Sequence, residues 1–303
     1  MSAWVESVEY QQAMNACRTN NRAALDRIIE ERLATVNGPE RAFWLSIRAG
    51  RRAKDAVLPD LLEFAWADLE EAHRAAPDDL AASAMALSAA FRIAVHGEMA
   101  DRAVKYLIPL RHVHARAPVP FFWQDMGQLN MKRGRWHKAV QAFDRALTLY
   151  QSLDDYERTL HECRPPHFHA WRGISLANLG LVEQARQDVD RAFALSAELP
   201  AQNINHLALG TGRAEVALAA GLLQEARTAL QQGLMNHSLH KRPRATPAQL
   251  AETEFLAARI ARAEGNVVGF DSFCEKALKI CRQHRLVMTE AKVRAAQDIV
   301  HAS

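Results

Sequence analysis

His161, Cys163, His167 and His169 fall within nine residues, in the segment HECRPPHFH. Imidazole and thiolate are zinc ligands, and a cysteine beside a histidine is also the pairing that nucleophilic catalysis uses. The spacing matches no established zinc site, and Pro165–Pro166 restricts the backbone between the two halves of the cluster. Nothing nearby supplies an orienting third group or an oxyanion hole. These residues therefore read as loop and core histidines, with no metal. His112 and His114, two apart on a helix, point to different faces and carry still less chemistry.

The most basic segment is Asn236 to Arg244, NHSLHKRPR. Such a run can meet a phosphate backbone or an acidic partner. No aromatic side chain interleaves it, so stacked bases would lack a platform, and it reads as a solvated connection. The shorter run Lys132, Arg133, Arg135 and Lys138 also reads as surface. The chain has no glycine-rich phosphate loop, no HExxH and no G-x-S-x-G, and Asp154, Asp155 and Glu157 are ordinary helix-end charges. A non-enzymatic protein with no cofactor is expected.

The elements that must position these residues are helices. Of the 303 residues, 49% are apolar, with only 13 Gly and 11 Pro, and good helix formers dominate. No run of alternating β-branched residues occurs, so the fold class is all-α. The net charge of +3 comes from interspersed signs, which suits solvated helix faces better than a nucleic-acid surface. Cys17, Cys163, Cys274 and Cys281 have no disulfide-framework spacing and read as reduced thiols of a cytoplasmic protein. The acidic start MSAWVESVEYQQ lacks the apolar core of a signal peptide. Leu80 to Val95 is the longest apolar stretch, too short for a membrane span and long enough for a buried helix.

One stretch carries a repeat unit in full. In FFWQDMGQLNMKRGRWHKAVQAFDRALTLY, residues 121–150, the residues Trp123, Gly127, Gly134, Trp136, Ala139, Phe143 and Ala146 have the spacing of a helix–turn–helix unit. Small residues let two helices touch and aromatic residues fill the space beside them, with Gly127 expected to face Ala139. The unit resembles the tetratricopeptide (TPR) repeat. The same punctuation recurs at His169–Leu195, Gly210–Leu230 and Phe255–Leu278. The turn glycines Gly134, Gly180, Gly221 and Gly265 are 46, 41 and 44 residues apart. A standard TPR period is about 34, so these units are longer and less regular.

Upstream, residues 3–35 read as a hairpin turning at Arg18–Asn21, and Arg41–Pro77 as a second, broken near Asp55–Pro59. Leu80–Leu110 reads as a third, with Gly97 in the turn slot. The expectation is a right-handed α-solenoid of about seven TPR-like hairpins. Residues 1–115 form divergent N-terminal hairpins, 116–285 the TPR-like repeats, and 286–303 a C-terminal capping helix.

TPR proteins bind extended peptides or partner helices on the concave face of their first helices. The resemblance places Gln124, Gln128 and Lys132, then Trp171, Ile174 and Asn178, then Glu215, and then Phe255, Arg259 and Arg262 on that face. Trp171 has two readings, a groove tryptophan acting with Asn178 or a packing residue under the next repeat. The chaperone-binding subclass carries a Lys/Asn carboxylate clamp; Gln124 and Gln128 stand here instead. The implied partner is a protein or peptide held by an adaptor or scaffold, with no nucleic acid or membrane, and the oligomeric state is left open. The alternative is a sensor resembling bacterial peptide-responsive regulators. Those often begin with a DNA-binding helix-turn-helix, which residues 1–36 do not supply.

Overall fold

The computed structural model describes residues 7–18, 21–55, 61–116, 122–155, 158, 164–200, 204–239 and 245–301. Among them stand fifteen helices and no strand. Two compact units divide the chain, residues 1–122 and 123–303. The first holds α1 (Val8–Arg18), α2 (Arg22–Leu33), α3 (Gly38–Asp55), α4 (Leu61–Ala75), α5 (Leu80–His96) and α6 (Ala100–Arg116). The second begins in α7 (Phe122–Lys132) and continues through α8 (Trp136–Gln151), α9 (Arg164–Ala177), α10 (Val182–Ala197) and α11 (His206–Ala219). It ends with α12 (Leu223–Leu239), α13 (Pro247–Ala263), α14 (Val267–His284) and α15 (Val287–His301). No helix among the described residues is long and apolar enough to cross a membrane.

Local chemistry sets the helix ends. Asp79 accepts from the Ala82 amide at 2.8 Å and starts α5. Thr246 and Gln249 form a capping box around Pro247 at the start of α13, satisfying amides that the first turn leaves without partners. Gly134, Gly180, Gly221 and Gly265 all have positive φ, the left-handed conformation that ends a helix at little cost only for glycine. The α5–α6 turn departs from the expectation. Gly97 keeps a negative φ, and its neighbour Glu98 takes the left-handed position at φ 56°.

In the first unit α1 packs on α2, α3 on α4, and α5 on α6, with α3 also contacting α2 and α5. Ile29, Phe43, Trp44 and Leu45 are almost fully buried at its centre. Beside them Arg48 and Arg52 donate to the buried carboxylate of Asp68, tying α3 to α4.

In the second unit the hairpins α9–α10, α11–α12 and α13–α14 are the tightest pairs, and the first helices α9, α11 and α13 contact one another in succession. Each second helix also meets the next first helix, and α15 packs on α13 and α14. Counting from each turn glycine aligns the cores. The fifth and ninth residues after it are Ala139 and Phe143, Ala185 and Val189, Ala226 and Leu230, then Phe270 and Cys274, all buried. In the last hairpin the large and small residues exchange places, which keeps the packed volume similar. At Gly127 the tightest neighbour is Phe143, one turn beyond Ala139. A Cβ there would lie 2.5 Å from the Phe143 ring, because that ring spreads over the α7 backbone. Between α11 and α12 the contact is glycine on glycine. A Cβ on Gly210 would stand 2.6 Å from the Cα of Gly233.

Candidate peptide-binding face

Gln124, Gln128 and Lys132 recur every fourth residue of α7 and so share one helical face. All three are buried, at 2, 7 and 9% relative exposure. Gln124 accepts a 3.4 Å hydrogen bond from Arg164 at the start of α9. Lys132 donates at 2.9 Å to Glu252 on α13. That ion pair joins residues 120 apart in sequence and bridges the first and fourth hairpins of the unit. Two side chains a few ångströms long can meet in this way only if the first helices curve toward one another, so the face they line is concave. The Gln128 carbonyl oxygen, between these two contacts, is buried and has no hydrogen-bond donor among the described residues. Burying an amide oxygen without a partner costs about 1–3 kcal/mol.

The same face continues along the other first helices. Asn205 donates to Gln249 at 3.3 Å, the Thr211 and Thr253 hydroxyls are 3.4 Å apart, and Arg259 donates to Glu215 at 2.6 Å. Lys132 and Arg259, expected to meet acidic groups of a partner, thus each hold an acidic residue of this chain. Arg262 is exposed, while Phe255 is half-buried against the cluster of Ala258, Phe270 and Cys274. Ile174 is buried. Asn178 is exposed at the end of α9 and donates to the carbonyl of Ile174 in its own helix.

Trp171 is half-buried and lies among aromatic neighbours. Its ring centroid lies 6.0 Å from that of Phe143 on α8 and 5.6 Å from that of His167. Counted back from the turn glycines, Trp171 is level with Asp125, Gly212 and Leu256, all of them buried. The residue level with Gln124 is Ala170. One position is a rotation of about 100° around a helix, enough to move a side chain from the inner face to the interface.

His161 and Cys163 lie outside the described residues, as does Lys241 to Arg244 of the basic segment. His167 accepts from the Asn205 amide at 3.2 Å. His169 lies 2.9 Å from Asp188, which also takes two 2.6 Å bonds from Arg172. Arg172 reaches Asp144 as well, so the cluster ties α8, α9 and α10 together. Burial alone would raise the Asp188 pKa, but the bonds from His169 and Arg172 outweigh it and hold the carboxyl below its ordinary range. Among the described residues no group of three or more His, Cys, Asp or Glu is placed to hold a metal.

Glu252 and Arg164 are among the residues on this face that the repeat pattern did not single out, as are Asn205, Gln249, Thr211 and Thr253. Glu252 lies one helical turn before Phe255, and only the curvature of the unit makes it the partner of Lys132.

The fold is therefore all-α, built of helical hairpins, and fits a TPR-like fold. No family model and no curated protein matches the chain. Among solved structures, the crystal structure of NprR in complex with its cognate peptide NprX is similar, with a TM-score of 0.65 at 11% identity. The match covers 94% of this chain and 80% of NprR. At that identity the likeness is one of fold.

Proposed function

We propose that this chain is a non-enzymatic, cytoplasmic adaptor or scaffold. It is built as a right-handed α-solenoid of about seven TPR-like hairpins with α15 as its cap, and it binds a protein or peptide on the concave face of α7, α9, α11 and α13. The observation that carries this reading is the Gln128 carbonyl oxygen, buried on the inner face with no donor among the described residues. A bound peptide has amide N–H groups to offer it, and Gln124, one turn away on the same face, is held by Arg164. Glu215, Phe255, Arg259 and Arg262 extend the contact along α11 and α13, and Ile174 and Asn178 along α9.

Gln128→Leu tests the reading because its two consequences differ in sign. Replacing an unsatisfied buried amide by an apolar group of similar size leaves folding stability unchanged or improves it. The same change deprives a bound peptide of its acceptor. Octapeptides selected from a random display library on the wild-type protein should lose about tenfold or more in affinity for the variant, measured by fluorescence anisotropy. Equal affinity of all selected peptides for a folded Gln128→Leu variant would sink the reading.

A second reading is favoured by the likeness to NprR bound to NprX. In it the chain is a regulatory sensor in which peptide binding alters the stacking of the hairpins. A change in small-angle scattering on adding a selected peptide would favour the sensor over a static adaptor.

A further inference from the structure

Gln124, Gln128 and Lys132 line the inner face of α7, yet all three are buried. Polar side chains on an open groove are hydrated, so this face is covered in the present conformation. Two contacts close over it. Arg164 at the start of α9 meets Gln124, and Glu252 on α13 meets Lys132 at 2.9 Å. Gln128 sits midway, about 6 Å along the helix from each. Its oxygen is buried, so a ligand amide reaches it only after one end lifts.

The two ends are not equivalent. Arg164 belongs to the hairpin next to α7, whereas the Lys132–Glu252 pair crosses three hairpin-to-hairpin joints. Small rotations at those joints add together at this pair, while the Arg164 contact feels only one of them. The pair is also able to part. The Glu252 side chain is 40% exposed and is hydrated once released. Lys132 has a further interaction besides Glu252, so release does not leave it alone. An ion pair with one well-solvated member holds weakly.

Resting on the concave-face reading above, we infer that Lys132–Glu252 is a clasp that holds the inner face shut. The clasped form is the resting state, and the clasp opens as the hairpins unbend. Peptide binds the opened form through Gln128. Peptide then keeps the clasp open, and the clasp keeps peptide out, so occupancy and curvature are linked through one ion pair. Only the open fraction binds, so the apparent affinity is the intrinsic affinity reduced by that fraction.

Zero-length cross-linking tests the clasp. A water-soluble carbodiimide joins a lysine amine to a carboxyl already paired with it, and tryptic mapping identifies the 132–252 linkage. Protein linked in this way should lose about tenfold or more in affinity for the octapeptides selected on wild type. The same treatment of Glu252→Gln makes the other linkages without this one and should leave its binding intact. Adding a selected peptide first should suppress the 132–252 linkage. Without cross-linker, Glu252→Gln should bind the peptides up to about tenfold more tightly and show a larger radius of gyration in small-angle scattering. Glu225→Gln, which removes a surface pair to Arg186 at 3.9 Å, should change neither. Absence of the 132–252 linkage in ligand-free protein would overturn the clasp. So would peptides that lose affinity for Gln128→Leu yet bind the linked protein and Glu252→Gln as they bind wild type, and that result leaves the binding face standing. Indifference to Gln128→Leu as well would overturn both.

Discussion

Asp188 is the residue whose removal should cost the second unit most for the smallest change in shape. In Asp188→Asn the side chain keeps its volume and loses its charge. The carboxylate is nearly buried, accepts two bonds from Arg172 and lies within hydrogen-bonding distance of His169. A hydrogen bond to a charged group contributes about 1.5–3 kcal/mol, and leaving one member of a buried pair alone costs about 3–5 kcal/mol. Arg172 keeps Asp144 and is 25% exposed, so the lower part of that range applies, about 3 kcal/mol. For a domain of this size each kcal/mol moves the melting temperature by about 2–4 °C, so a fall of roughly 6–12 °C is expected. The control is Asp190→Asn, since Asp190 is 73% exposed and meets Arg213 at the surface; it should change little. Acid sharpens the test. The Asp188 carboxyl titrates below its unfolded value, so its contribution is complete at pH values above about 4 and is lost as the pH falls through the folded pKa. The gap between wild type and Asp188→Asn in urea unfolding should therefore stay constant from pH 8 to 5 and narrow only below about 4. A gap under about 0.5 kcal/mol at pH 7, or one that narrows near pH 6, would refute the assignment of the stability to this carboxylate.

Two glycines should respond in opposite directions. Gly210→Ala must push apart two helix backbones at Gly233, so it should lose about 1–2 kcal/mol despite the better helix propensity of alanine. Gly50, inside α3 with nothing within 4 Å of a new Cβ, should gain about 0.5–1 kcal/mol on the same change; urea unfolding that shifts both the same way contradicts the packing. Burial, aided by the charges of Asp271 and Glu275, pushes the Cys274 thiol up to about 11. At pH 8 it should hold about two hundredfold less thiolate than a free cysteine. Peptide mapping after alkylation of the native protein should therefore find Cys274 and Cys281 unmodified until denaturant is added, and labelling of Cys274 within minutes would count against its place in the core.

Much of the fold could be read from residues that do one job whatever surrounds them. A helix that ends sharply needs a left-handed residue, and Gly134, Gly180, Gly221 and Gly265 take that conformation where the spacing placed them. The paired small residues of the hairpins were legible for the same reason, since two helices approach closely only where side chains are small. Register was less legible. The units are 46, 41 and 44 residues apart, so no constant period fixes which residue of α9 matches Gln124, and counting from the turn glycines gives Ala170, one position from Trp171. Curvature was not legible at all. The meeting of Lys132 and Glu252 depends on the sum of three hairpin-to-hairpin rotations, and no local pattern records that sum.

Gly210 and Gly233 mark the boundary between what a local pattern hides and what it discloses. Neither ends a helix, and a glycine inside a helix costs about 1 kcal/mol relative to alanine. Two such costs on successive helices, 23 residues apart, have no explanation in either helix alone. They have one in the pair: there α11 and α12 touch backbone to backbone. An unexplained local cost is thus itself evidence of a long-range contact. The buried, donorless oxygen of Gln128 is the same kind of sign one level up. Its cost has no explanation among the described residues, and the peptide-binding face proposed above would supply one.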